Sequence, residues 1–365
     1  MRSPIKILDW YIIRKFLGTF FFIIALFVII IVIFDYAENV DDFITNKAPF
    51  SEIILDYYAN FAPSMINQFS GLFTFITVIW FTSKMASQTE IVAILSSGVS
   101  FRRIVRPYLL SSFVIMLMSL GLSLWVIPSA SNEMLDFQVK YIQRKKRQAH
   151  KYDEHIYRQI DKNVFVYIRN FSGESNRASF FAIERYNDNA LVEVLEASEV
   201  RFMPETQRWA APQYTIRHNL ETTMSYELHK SLDTLINLNS QEIGKVEELV
   251  KTMKIEDLNQ FISQQQDKGS DMINLFEVER QQRYSYPVSI IILTIMGVAL
   301  ASQKKRGGTG VNLGVGIVLC FSYIMFAKFA EEFAKGDLLP AQISVWIPNI
   351  IFAGIALYLY KKAPK

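Results

Sequence analysis

Residues 16–34 contain no charged side chain, and this feature constrains the fold of the chain more than any other. A helix needs about 20 mostly apolar residues to cross a bilayer, and this segment supplies them. A cleaved signal peptide has a shorter apolar core followed by small residues, whereas this segment ends at Phe34-Asp35-Tyr36. We therefore predict a retained membrane-spanning helix.

Five further segments have the length and apolar character of membrane spans. They comprise residues 61–81, 104–127, 286–301, 313–330 and 343–360. The fifth of the six spans contains Lys328 near its end, where a lysine side chain can reach the membrane surface. The sequence thus predicts six transmembrane helices in two blocks of three.

Charged residues between the spans alternate in sign from one connection to the next. The basic groups are Arg2, Lys6, Arg14 and Lys15, then Lys84, Arg102, Arg103 and Arg106, then Lys304, Lys305 and Arg306, and finally Lys361, Lys362 and Lys365. The intervening acidic groups are Asp35, Glu38, Asp41 and Asp42, and later Glu331, Glu332 and Asp337. Because cytoplasmic loops accumulate Lys and Arg, we predict both termini in the cytoplasm. The net charge of only +3 excludes the general basic field of a nucleic-acid-binding protein.

Between the two blocks the chain changes character and becomes rich in β-branched and aromatic residues. Predicted strands cover residues 155–160, 164–169, 179–185, 191–202, 213–217 and 222–228. Short strands separated by turn signals favour a sandwich or jelly roll. A helix is predicted over residues 255–266, with a stop at Gly269 and a further helix from Asp271 into the fourth span. The predicted class is an α+β membrane protein with domains 1–128, 129–282 and 283–365, the middle one outside the cytoplasm.

No catalytic, metal or cofactor site is predicted. The histidines His150, His155, His218 and His229 have no ligand spacing, and a lone Cys320 excludes a disulfide framework or thiolate cluster. No P-loop motif is present, so ATP hydrolysis in that manner is excluded. The glycines 307, 308, 310, 314 and 316 follow no strand, and we interpret them as a turn followed by close helix packing at Gly310 and Gly314.

The connection between the second and third spans contains a short, weakly amphipathic segment, residues 87–100. A glycine that stops the helix, Gly98, precedes the third span. A helix held between two spans at the cytoplasmic surface is how membrane subunits meet a motor protein, although a surface glutamate such as Glu90 is often merely solvated. The predicted ATPase-coupling residues are Glu90, Ile91, Ile94, Leu95 and Gly98.

Four motifs along the chain carry a family resemblance. They are residues 8–12 (LDWYI), residues 89–100 (TEIVAILSSGVS), Arg283 followed after three residues by Pro287, and residues 338–340 (LLP) with 346–348 (WIP). Together with the order of three spans, β-domain and three spans, this ordered set resembles the lipopolysaccharide-export permeases of the LptF/LptG type. The opening motif is more similar to the G subunit than to the F subunit.

The resemblance implies a periplasmic β-jellyroll and a place in the bacterial inner membrane. It also implies a heterodimer with a sister permease, a cytoplasmic ATPase dimer, and delivery of lipopolysaccharide to a periplasmic bridge protein. A lateral gate between the first and fifth spans is implied as well, with candidate residues Ile31, Phe34, Phe326 and Phe329. Family members carry basic residues at the periplasmic end of the first span, whereas residues 35–42 are acidic here. We therefore assign no substrate ligand.

Two other classes of function compete with this hypothesis. Other ABC membrane subunits, for mechanotransmission or lipoprotein release, also carry a periplasmic domain, but usually after the first span rather than the third. A membrane-anchored enzyme or sensor is the other alternative. An intramembrane enzyme needs paired ionisable groups within its spans, and these spans contain almost none. We therefore expect a non-catalytic transporter subunit, with ATP hydrolysis in a separate chain.

Overall fold

The structure is a computed structural model, and it describes residues 6–142, 153–172, 175–187, 190–203, 206, 208–219, 224–235, 246–268, 272–302, 308–336 and 338–363. The chain forms two compact units. One combines the two ends of the chain, Met1–Phe137 and Glu277–Lys365, and the other comprises Gln138–Phe276.

Six helices in the described residues are long and apolar enough to cross a membrane, as the sequence predicts. They are α1 (Ile7–Thr45), α2 (Phe50–Ser87), α4 (Phe101–Ile142), α7 (Ile273–Ala301), α8 (Gly308–Lys335) and α9 (Ala341–Lys362). A short helix, α3 (Glu90–Ser96), lies between α2 and α4.

Helix α1 is much longer than the predicted span. Its 39 residues correspond to about 58 Å at 1.5 Å per residue, roughly twice the thickness of the hydrocarbon core. The acidic segment that we predicted as a connection is therefore helical, which corrects the sequence analysis. Contacts with α2 stabilise it, because the Asp35 carboxylate accepts hydrogen bonds from the Tyr57 hydroxyl at 3.3 Å and the Tyr58 hydroxyl at 3.1 Å. Phe43 is buried against Tyr57 and Phe137.

Helix α4 also continues past its predicted end at Pro128. A π-helical segment, Leu122–Val126, directly precedes the turn that contains this proline. Proline lacks the amide hydrogen of a normal helical bond and crowds the preceding turn, so it is better tolerated where the helix is locally widened. The helix then extends to Ile142, through a second π-helical segment at Gln138–Ile142.

Helix α2 lies at the centre of the helical unit, since both α1 and α8 pack along it. On the side of α1, Phe16 and Phe81 pack with Tyr108 of α4, whose ring stacks on Phe81 at a centroid distance of 5.3 Å. On the other side, Gly297 of α7 lies against Phe75 and Val78 of α2. The second helix of the chain thus joins the two blocks of spans.

Close packing of α8 on α2 depends on Gly316 rather than on the two glycines that we predicted. A Cβ atom at Gly316 would lie 2.1 Å from the Cδ1 atom of Ile79, whereas Gly310 and Gly314 have no such neighbour within 4 Å. The helix face that carries Gly316 is the face that meets α2, and the sequence alone does not identify it. Gly307 lies outside the described residues.

The second unit is built around a six-stranded antiparallel sheet. Its strands are β1 (Asp153–Asp161), β2 (Val164–Ser172), β3 (Arg177–Asn187), β4 (Ala190–Met203), β5 (Arg208–Asn219) and β6 (Met224–Leu235). All six predicted strands are confirmed, with longer extents. The strand order is β1-β2-β3-β4-β5-β6, so each strand pairs with its sequence neighbours. A jelly roll requires Greek-key pairings, which this order does not contain, and that topology is not confirmed among the described strands.

One face of the sheet carries the apolar core of this unit. Ile168, Phe181 and Ala197 lie opposite one another on neighbouring strands, and Trp209 stacks on Phe181 at 5.6 Å. Helices α5 (Val246–Thr252) and α6 (Ile255–Lys268) follow the sheet. The helix predicted from residue 255 is confirmed, while Gly269 and Asp271 lie outside the described residues.

The opposite face of the sheet carries half-exposed aromatic rings. Tyr157 stacks on Phe165 at 5.4 Å, and its hydroxyl donates to Glu184 at 2.6 Å. Burial, together with this hydrogen bond to a carboxylate, raises the pKa of the Tyr157 hydroxyl, which therefore stays protonated at neutral pH. These pairs are cross-strand contacts that stabilise the sheet.

Candidate coupling site

Helix α3 is separated from α2 and α4 by two residues in the left-handed backbone region. Thr89, just before the helix, has φ of 62°, and Gly98, just after it, has φ of 84°. The Ala93 amide donates to the Thr89 carbonyl at 2.9 Å, and the Gly98 amide donates to the Leu95 carbonyl at 3.0 Å. Glycine adopts this conformation readily, whereas a β-branched threonine does so only at a cost. The chain therefore turns sharply at both ends of α3.

The apolar face of α3 packs into the core of this same chain. Ile91 is only 2% exposed, and Ile94 and Leu95 are half-buried against the same cluster. Residues three and four apart share a helix face, which explains why these three point inwards together. Of the five predicted coupling residues, Ile91 therefore has no side-chain surface left for a partner.

The outward face of α3 consists of residues that the sequence analysis did not select. Val92 is 50% exposed, and Ala93 is exposed beside it. Gly98 is exposed and Glu90 is half-buried. The helical period separates Val92 from Ile91 and Ile94, and the sequence contains this information. The sequence did not show which of the two faces is buried in the core.

Glu90 is linked to α1 through Tyr11. The Tyr11 hydroxyl donates to Glu90 Oε2 at 3.4 Å. The Lys15 ammonium group contacts the Tyr11 hydroxyl and lies 4.5 Å from the centre of its ring. A carboxylate at the start of α3 is thus connected, through a tyrosine, to a lysine one turn further along α1.

A partly buried ion pair also joins the start of α1 to the start of α4. Arg103 Nη1 lies 2.7 Å from Asp9 Oδ1, and Nη2 lies 2.5 Å from Oδ2. The Lys6 amide also donates to Asp9 Oδ2 at 2.8 Å, and Asp9 is only 3% exposed. Two parallel charge-assisted bonds fix both distance and orientation. Asp9 belongs to the opening motif, but its partner is 94 residues away, so the sequence did not indicate the pair.

The predicted gate residues are mostly exposed, and the structure does not bring them together within one chain. Phe34 of α1 is 71% exposed, Phe326 and Phe329 of α8 are exposed, and Ile31 is half-buried. Helices α1 and α8 each pack along α2 rather than along one another. The lateral gate between the first and fifth spans stays a prediction.

Within the described parts of the chain, no group of three or more histidine, cysteine, aspartate or glutamate side chains could hold a metal ion. His218 lies 3.5 Å from Glu193, and His229 lies 3.4 Å from Glu227, at the surface of the sheet. Cys320 is buried between helices. His150 and the side chain of His155 lie outside the described residues.

Comparison with known proteins agrees with this architecture. The family model "Lipopolysaccharide export system permease LptF/LptG" matches residues 10–362. The chain is also similar to the lipopolysaccharide export system permease protein LptG of Haemophilus influenzae, with 19% identity over 305 residues, which is 82% of this chain and 83% of that protein. The six membrane-competent helices fit a multi-pass protein of the inner membrane. The chain therefore belongs to the LptF/LptG family of lipopolysaccharide export permeases.

Proposed function

We propose that this chain is a permease subunit of an ABC exporter that extracts lipopolysaccharide from the inner membrane and passes it to a periplasmic bridge. The family match over residues 10–362 carries this proposal. ATP hydrolysis belongs to a cytoplasmic ATPase dimer, and a sister permease completes the transmembrane part. Both termini and α3 lie on the cytoplasmic side, because basic residues flank these segments. Residues 129–282 form the periplasmic domain.

Helix α3 is the element that binds the ATPase. Its outward face presents Val92 and Ala93, with Glu90 at the edge. A small apolar face next to a charged group suits a protein interface, where the apolar centre excludes water and the charge adds specificity. We therefore assign the partner contact to Val92 and Ala93 in addition to Glu90, Ile94, Leu95 and Gly98.

The lateral gate is formed with the sister permease rather than within this chain. Exposed aromatic rings on α1 and α8 leave two separate apolar faces, one around Phe34 and one around Phe326 and Phe329. Lipid tails are as apolar as these side chains, so either face can contact acyl chains within the bilayer. Each face would therefore meet the opposite face of the sister subunit and open to admit lipid.

The periplasmic bridge protein is expected to bind at β6. This strand pairs with β5 on one side and is an edge strand of the described sheet. Met224, Tyr226 and Leu228 alternate along it and are all exposed. An edge strand with exposed apolar side chains is suited to accept a strand from another protein, which would extend the sheet by one strand.

Reconstitution in liposomes tests whether the chain is a permease subunit of a lipopolysaccharide exporter. The chain, its sister permease and the ATPase are placed in liposomes that contain lipopolysaccharide, and release of lipid to a soluble periplasmic acceptor is measured with and without ATP. ATP-dependent release of lipopolysaccharide is expected. Release of a different lipid, or failure of the ATPase to co-purify, would contradict the proposal.

A matched pair of variants tests the assignment of α3. Val92→Glu places a charge on its outward face and is expected to prevent co-purification of the ATPase. Val192→Glu changes a similarly exposed valine on β4 and serves as the control. Equal co-purification of both variants would contradict the assignment of Val92.

A further inference from the structure

Two polar contacts connect α1 with the start of α3 and with the start of α4. Tyr11 reaches Glu90, the first residue of α3, and Asp9 reaches Arg103, in the first turn of α4. All of these contacts lie within the helical unit. The start of α1 is therefore in contact with the first residue of α3 and with the chain just after α3.

The apolar core adds a third connection between the same elements. Ile91 of α3 belongs to one buried cluster with Ile12 and Phe16 of α1 and with Phe101 and Ile104 of α4. Close-packed interiors have low compressibility and transmit displacements. A movement of α3 is thus resisted on its inner side by a core to which α1, α2 and α4 all contribute.

The backbone route from α3 to the neighbouring spans is weaker than this side-chain route. Thr89 and Gly98, in the left-handed region, interrupt the helical hydrogen bonding between α3 and the helices before and after it. Such turns bend without moving a whole helix, because no continuous hydrogen-bonded ladder crosses them. Side-chain contacts with α1 are therefore the stiffer connection.

Capping of helix α1 by Asp9 does not require the bond between Asp9 and Arg103. The Lys6 amide already uses Asp9 as the capping carboxylate. The bidentate bond to Arg103 adds an orientation-specific link across 94 residues, in which the Asp9 side chain is buried and the Arg103 side chain is 24% exposed. A solvent-exposed charge pair would have little such stiffness.

We propose that Asp9 and Arg103 are positioning residues that transmit a displacement of α3 to α1, with Tyr11 and Glu90 as a second link. Helix α1 also carries Phe34, further along the same helix, so this link connects the ATPase side of the permease with one face of the gate. The inference rests on the proposed function, because it takes α3 as the site where the ATPase acts.

The test uses the full complex with the ATPase in nanodiscs and needs no lipid substrate. A fluorophore sensitive to its surroundings is attached at Phe34→Cys, with Cys320→Ser to remove the buried thiol. The ATP-dependent change in fluorescence is then measured together with ATP turnover. The variants are Arg103→Gln and Arg103→Lys, with Arg102→Gln as a control at the exposed neighbouring arginine.

In Arg103→Gln, the ATP-dependent signal is expected to fall about tenfold, a size typical of coupling between sites, while assembly and ATP turnover are retained. Arg103→Lys keeps the charge but loses the bidentate geometry, so an intermediate signal is expected. Arg102→Gln is expected to keep the full signal. A full signal in Arg103→Gln, or equal loss of signal and ATP turnover, would overturn the inference. In the separate liposome reconstitution, absence of lipid release by the unaltered complex would count against the proposed function instead.

Discussion

Replacing Gly316 with alanine tests whether α8 packs on α2 through this glycine. The added Cβ atom would lie 2.1 Å from Ile79 Cδ1 and 3.5 Å from Ile79 Cγ1. Ile79 is only 1% exposed, so its terminal methyl group has to move within a packed interior. Gly314, two residues earlier on the same helix, has no such neighbour within 4 Å and provides a matched control.

Two opposing terms set the expected size of the effect. Alanine in place of glycine favours a helix by about 1 kcal/mol, and this gain applies at both positions. Overpacking a well-filled core costs about 1–3 kcal/mol, and this cost applies only at Gly316. Gly314→Ala should therefore stabilise the protein by about 1 kcal/mol, whereas Gly316→Ala should destabilise it by up to about 2 kcal/mol.

The buried thiol of Cys320 provides the assay. Cys320 is the single cysteine of the chain and lies one turn beyond Gly316 on the same buried face. A thiol-reactive dye added to detergent-solubilised protein reports unfolding as this group becomes accessible. A change of 1 kcal/mol corresponds to a shift of about 1–2 °C in the unfolding midpoint of a chain of 365 residues. The two variants are expected to shift it in opposite directions.

A double-mutant cycle isolates the contact itself. Ile79→Val removes the Cδ1 atom, at a cost of about 0.5–1.5 kcal/mol by itself. In the Ile79→Val background, the added Cβ at position 316 would meet only atoms at ordinary van der Waals distance. Gly316→Ala should then no longer destabilise the protein. Equal midpoints for Gly314→Ala and Gly316→Ala, or no change in the valine background, would refute this account of the packing.

Three further predictions concern other parts of the chain. Trp209→Ala removes a fully buried ring from the sheet and should lower the free energy of unfolding by about 3–5 kcal/mol. The measurement is denaturant unfolding of the full chain, followed by circular dichroism because this signal does not depend on tryptophan fluorescence. Asn349→Leu should cost about 1–3 kcal/mol in the thiol assay, because the Tyr323 hydroxyl loses its acceptor and the Ser285 hydroxyl loses a donor. Asn187→Cys should react with an impermeant thiol reagent in spheroplasts, whereas Gly308→Cys should react only after permeabilisation.

Each of these three experiments has a contradicting outcome. Unchanged sheet unfolding in Trp209→Ala would place the core of the second unit elsewhere. Asn349→Asp keeps an acceptor for Tyr323, and a larger loss in this variant than in Asn349→Leu would show that charge, rather than hydrogen bonding, dominates at this position. Protection of Asn187→Cys together with labelling of Gly308→Cys would reverse the proposed topology.

Local patterns in the sequence were sufficient to predict most elements of the fold. The six apolar segments and the six strands each carry their signal within a few consecutive residues, as hydropathy or as β-branched and aromatic content. The ends of elements were less predictable. Helix α1 continues through an acidic segment because Tyr57 and Tyr58, on another helix, bind Asp35. That stabilisation comes from tertiary contacts, which hydropathy does not register.

The candidate coupling site was predictable in position but not in detail. Its helix is bounded by Gly98, a local signal, whereas the inward direction of Ile91 depends on a core assembled from α1, α2, α4 and α7. The partner of Asp9 was equally hidden, since several arginines flank the third span and only the fold selects Arg103. Long-range pairing of this kind requires either a structure or covariation between positions.

The order in which α2 acquires its neighbours has a consequence for biogenesis. A ribosome completes α2 long before it makes α7 and α8, and the whole β-sheet is synthesised in between. The surface of α2 around Phe75 and Ile79 therefore stays uncovered until Gly297 and Gly316 arrive. The sheet differs from α2 in this respect, because each strand pairs with its neighbour in the sequence and only short loops have to close. It can form hairpin by hairpin while one face of α2 stays uncovered. An insertase or membrane chaperone would bind this chain during that interval.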